Sequence, residues 1–86
     1  MQRDRRGELA RLYQAVVVSR LAVEAARGEL IEALGDWLCG ADALPPGSTE
    51  VEALARLCDA REKAEADYVR CVARLSEKLV QRARVA

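Results

Sequence analysis

Histidine is absent from this 86-residue chain. Its absence removes the commonest general base, the commonest zinc ligand, every Ser–His or Cys–His pair and the Glu-x-x-His signature of di-iron bundles. Phenylalanine is absent too, which leaves Tyr13, Trp37 and Tyr68 as the aromatic residues. Cysteine is sparse: Cys39, Cys58 and Cys71 stand 19 and 13 residues apart, so there is no Cys-x-x-Cys redox or zinc motif. The five glycines, at 7, 28, 35, 40 and 47, fit neither a P-loop nor a dinucleotide-binding spacing. Long apolar runs are missing as well. Residues 1–8 are largely charged, and Gln14, Arg20 and Glu24 interrupt the Leu12–Ala26 stretch, so neither a secretory leader nor a membrane span is supported. An odd cysteine count without a leader points to a reducing, cytoplasmic setting. No metal ligand set and no cofactor site are expected.

Net charge is lacking in the same sense. Fourteen Lys and Arg balance fourteen Asp and Glu, so bulk charge supports neither counterion-release binding to nucleic acid nor attraction to an anionic membrane. What the chain has in quantity is apolar residues, 51% of the total, with alanine the commonest and Leu, Val, Arg and Glu abundant. That composition is helical. One breaker cluster, residues 40–48 with Pro45, Pro46 and Gly47, divides it.

The expected architecture is all-α: a single domain, 1–86, folded as an antiparallel, coiled-coil-like two-helix hairpin. Helix 1 spans about 5–38 with Gly40 as its stop, the loop covers 39–48, and helix 2 spans about 49–82. Thr49 and Glu52 fit a capping box at the start of helix 2. In helix 1 the series Leu9, Leu12, Val16, Ser19, Val23, Ala26, Leu30, Ala33, Trp37 follows 3-4 spacing without one charge. Helix 2 matches it with Leu54, Leu57, Arg61, Ala64, Tyr68, Cys71 and Leu75. These two series form the expected intrachain seam. Centring the loop near residue 43 or 44 sets Ala33 against Leu54, Ala26 against Arg61, Val23 against Ala64, Ser19 against Tyr68 and Val16 against Cys71. Small then opposes large in most layers, as close packing prefers. The Arg61 stem is expected to lie along Ala26 and its head to reach Glu65 one turn on.

A lone hairpin buries little, and apolar residues remain outside the seam. Val17, Val18, Leu21, Ile31, Leu34 and Leu38 in helix 1, with Cys58, Val72 and Leu79 in helix 2, form the expected interaction surface. Val51 extends the helix 2 strip, and Glu65 breaks it. The leading expectation is a small, non-enzymatic protein–protein interaction module. It would dimerise into a four-helix bundle and serve as a scaffold, adaptor or regulatory subunit. The alternative is a monomeric hairpin that lays this surface on another helical protein, as a secretion-type chaperone or complex subunit does. Charge distribution favours an antiparallel copy. The open end of the hairpin sums to +6 and the loop end to −6, so an inverted neighbour sets opposite charges side by side. The basic open end also leaves nucleic-acid binding as a weaker reading, because no stacking aromatics or recognition-helix motif accompany it.

Other features have structural explanations. The all-helical chorismate mutases work through Arg, Lys and Glu in a bundle core, whereas Arg61 is the sole charge in this seam. Trp37 and Gly40 resemble in outline the Trp-x-Gly turn of the secreted WXG-type hairpins. The spacing here is Trp-x-x-Gly, Pro45 and Pro46 lengthen the turn, and Val72 stands where an acid follows Tyr68 in that pattern. Trp37 is therefore expected to cap the seam at the loop. Cys71 packs in the seam and Cys58 on its flank. Thirteen helical residues separate them by about 20 Å, too far for a disulfide.

Overall fold

Between residues 2 and 38, and again between 48 and 85, no proline interrupts a sequence of good helix formers, and both stretches are helical: α1 (Gln2–Leu38) and α2 (Ser48–Val85). The structure, a computed structural model, describes residues 2–41 and 44–85. Asp42 and Ala43 of the expected loop lie outside the described residues, as do the side chains of Gln2, Arg3, Asp4 and Arg5. The two helices pack antiparallel as a hairpin with no strand among the described residues. Both run farther than the seam pattern suggests. α1 begins at Gln2 rather than near Arg5, and α2 continues to Val85 rather than to about Arg82. Helix continues past the last apolar seam position because nothing in the chain breaks it there, and Arg82 and Arg84 lie in the last turn, where cations complement the dipole.

Gly40 ends α1 by a specific geometry. Its φ of 81° is left-handed, a conformation open to glycine without a Cβ penalty. Gly40 N–H donates to the Trp37 carbonyl at 3.1 Å and Ala41 N–H to the Asp36 carbonyl at 2.8 Å, the paired bonds of a Schellman cap. The capping box expected at Thr49 is not formed. α2 starts one residue earlier, its first turn is closed by Glu50 N–H donating to the Gly47 carbonyl at 3.2 Å, and among the described residues no side-chain bond from Thr49 is present. With the helix already running at Ser48, Thr49 sits inside the first turn and cannot occupy a cap's non-helical backbone.

The core is the line where the helices meet. Val23 is fully buried, with Val16 and Cys71 nearly so, and the seam residues Leu12, Ser19, Ala26, Leu30, Leu54, Leu57, Tyr68 and Leu75 are half-buried. Trp37, at the loop end of the seam, is 39% exposed. The Ser19 hydroxyl donates to the Val16 carbonyl at 2.9 Å, and the Tyr68 ring meets Tyr13, with centroids 5.6 Å apart and planes tilted 54°, a favourable aromatic geometry.

The hairpin is a rod of 69 × 20 × 17 Å with a radius of gyration of 19.8 Å, against about 12 Å for a compact domain of this length. Its accessible surface is 7058 Å², where a compact 9.5 kDa monomer exposes about 5,000 Å².

Candidate interaction surface

Arg20 Nε and Glu65 Oε1 lie 3.0 Å apart, and this is the one ion pair that joins the two helices among the described residues. It corrects the sequence expectation for Glu65: Arg20 of the neighbouring helix holds that carboxylate, and Arg61 makes no ion pair among the described residues. The facing helix offers Glu65 a donor directly across the groove. The pair also orients the whole molecule. With Val16, Val23 and Leu30 as heptad a positions and Leu12, Ser19 and Ala26 as d, Arg20 falls at e. In α2, with Arg61, Tyr68 and Leu75 at a and Leu57, Ala64 and Cys71 at d, Glu65 also falls at e. Antiparallel helices turn their e flanks to the same side of the seam, and the observed contact fixes which side that is.

That side is apolar over much of its length, with Arg20, Glu24, Arg27, Glu62 and Glu65 on the same flanks in its middle. Heptad positions e and b place Tyr13, Val17, Ile31, Leu34 and Leu38 of α1 there, with Cys58, Val69, Val72 and Leu79 of α2, and apart from half-buried Cys58 all of them are exposed. Seven of the nine residues expected from sequence share this side. Leu21 and Val18 do not: Leu21, 66% exposed, occupies f and projects directly away from α2, and Val18 at c turns toward the opposite side. Tyr13 and Val69 belong to the apolar side and were not expected. The e-flank rule finds Tyr13 once the seam is assigned, whereas Val69 needs the knowledge that both e flanks form one surface.

The opposite side is polar. Asp67 there accepts from Lys63 at 3.1 Å and from Arg70, and these bonds, Lys63 first, hold its carboxyl below the ordinary value. Near the loop, Ala26, Glu29, Leu30, Ala33, Glu50 and Ala53 line a shallow recess. No three Cys, Asp or Glu residues gather as a metal site among the described residues, and no helix among them is long and apolar enough to cross a membrane. All three cysteines are free thiols, Cys39 exposed, Cys58 half-buried and Cys71 buried. Comparison with protein-family models, curated proteins and solved structures returns no match to this chain.

Charge follows the rod's long axis. The antiparallel fold puts the start of α1 and the end of α2, together formally +6, at one end, and residues 24–52 around the loop, formally −6, at the other. In α2 this polarity complements the helix dipole, with Glu50 in the first turn and Arg82 and Arg84 in the last. In α1 it opposes the dipole. The basic residues Arg6 and Arg11 lie toward its N-terminus, and the last turn holds no basic residue to offset Asp36. Helix stability alone therefore does not account for the charge pattern of α1.

Proposed function

We infer that this chain is a small helical interaction module that homodimerises into a four-helix bundle and acts as a scaffold, adaptor or regulatory subunit. The observation that carries this reading is the apolar side shared by both helices, left open in the hairpin. The hairpin measures 69 × 20 × 17 Å, so one side of it has room for the ~800 Å² per partner of a standard interface. A second copy suits it because the molecule's bipolar charge is complementary to its own inverse, and complementary potentials select orientation.

The test is molar mass by light scattering at about 100 µM protein, a hundredfold above a micromolar dissociation constant worth about 8 kcal/mol. A mass of twice 9.5 kDa is expected. A fully helical, stable monomer at that concentration would refute the homodimer and leave the surface to a different protein.

A further inference from the structure

We propose that the homodimer is parallel: both loops lie at one end, the twofold axis runs along the rod, and α1 of each copy packs on α2 of the other through the apolar side. The inference rests on the homodimer reading and sets its orientation against the one that the end charges alone favour. The first support is the charge carried by the contact flanks themselves. From Arg6 to Leu38 the e and b positions of α1 hold Arg6, Arg20 and Arg27 against Glu24, a net +2. From Val51 to Ala83 the same positions of α2 hold Glu62 and Glu65 and no cation, a net −2. A copy rotated about the rod's long axis lays the basic flank of α1 on the acidic flank of the partner's α2, twice over, in an isologous contact. An inverted copy lays like on like, because it packs α1 on α1 and α2 on α2.

The second support is register. The Arg20–Glu65 contact, at 3.0 Å, marks which residues of the two helices are level, and rotation about the long axis leaves every residue at its own level. Counted from that contact, Tyr13 meets the partner's Val72, Val17 the partner's Val69 and Leu34 the partner's Val51, while Arg20 meets the partner's Glu65. The apolar residues and the charged band in the middle each find their own kind with no shift along the rod. An inverted copy can set Val17 on the partner's Ile31 only by bringing Arg20 beside the partner's Arg27 and Glu62 beside the partner's Glu65.

The end charges act mostly from elsewhere. Arg11, Arg74 and Arg84 at the open end and Glu29, Glu32 and Asp36 at the loop end occupy g and c, on the polar side. Across a four-helix bundle they stand about two helix diameters, ~20 Å, from their counterparts, beyond the ~8 Å over which charges act in physiological salt. The flank charges meet within the contact, where water is partly withdrawn, so they decide the orientation. Glu24 is the exception among them, since it falls level with the partner's Glu62. It is exposed and reaches its own Arg27 at 3.5 Å.

That exception supplies the test. In the full chain, Glu24→Arg completes a basic flank opposite an acidic one and is expected to tighten the dimer about fivefold, read as the dissociation constant from light scattering over a dilution series, with circular dichroism reporting an unchanged helical hairpin. In an inverted dimer the same change sets three neighbouring arginines of α1 against the partner's three and loosens it. An unchanged or raised dissociation constant overturns the proposal. Orientation is also read as a distance. With Cys39→Ala and Cys58→Ala, and Cys71 buried in the seam, a nitroxide introduced through Gln81→Cys is expected about 20–35 Å from its mate, the width of the bundle with its label arms. An inverted dimer centred near Lys63 of α2 sets the labels about 18 residues either side of the axis, roughly 50 Å apart at ~1.5 Å per residue, and a separation above about 40 Å overturns the parallel orientation. A monomeric native chain refutes the homodimer reading itself, whereas a native dimer that fails either arm refutes only the orientation.

Discussion

Among the described residues Val23 is the one large side chain with no accessible surface, and Val18, five residues earlier on the same helix, is 57% exposed. Replacing each with alanine is the same chemical change in two environments. At ~0.8 kcal/mol per buried methylene, Val23→Ala forfeits about 1.6 kcal/mol of transfer energy. A residual cavity between two helices that cannot fully close adds a further fraction of a kcal/mol. Alanine returns about 0.6 kcal/mol of helix propensity, so the net loss is about 1–2 kcal/mol. At Val18 less than half of the transfer loss applies, roughly 0.6 kcal/mol, and the propensity gain cancels it. The propensity effect is common to both, so the difference between the variants isolates burial. A chain of this length has about 4–13 kcal/mol of stability, and each kcal/mol moves the melting temperature by about 4–8 °C. Urea and thermal melts by far-UV circular dichroism should be run at one protein concentration, because dimer stability depends on concentration. Val23→Ala is expected to melt about 5–15 °C below native and Val18→Ala within a few degrees of it. Equal losses at the two positions would show that Val18 is buried in the assembly, and a loss under about 0.5 kcal/mol at Val23 would refute its place at the centre of the core.

The apolar side predicts that Leu34→Glu yields a helical monomer by light scattering, while Val18→Glu, on the other side, keeps dimer mass; the reverse pattern would move the interface. Gly28→Ala and Gly40→Ala are expected to have opposite signs. An added Cβ meets nothing within 4 Å at either site, so Gly28→Ala gains about 0.5–1 kcal/mol of helix stability, whereas Gly40→Ala loses about 1–2 kcal/mol to the left-handed backbone, both read from denaturant midpoints. Asp67 should titrate below its ordinary 3.8 when its carboxyl is followed by NMR. Its lowered folded value means that its contribution is present above pH 3.8 and is lost as pH falls through the folded value. The advantage of native over Asp67→Asn is therefore expected to vanish in acid, and a midpoint at or above 3.8 would contradict the Lys63 and Arg70 bonds.

The sequence by itself determined the hairpin. An uncharged 3-4 series from Leu9 to Trp37, a matching series in the second half and one Pro-Pro-Gly break leave few other ways to bury the apolar residues, and the glycine stop at Gly40 needs only local backbone bonds. The start of α2 was less legible, because the capping-box pattern points to Thr49 while the helix begins one residue earlier, after Gly47, and such boundaries are set by loop geometry to within a residue or two. Tertiary structure decided which off-seam residues act together. Along one helix Leu21 and Leu34 look equivalent, since both are large and outside the seam. They separate only when the second helix arrives and one flank of each turns to a common side. The same event gave Glu65 to Arg20 instead of Arg61, because a partner across the groove competes with one a turn away, and helix-local spacing carries no information about the other helix.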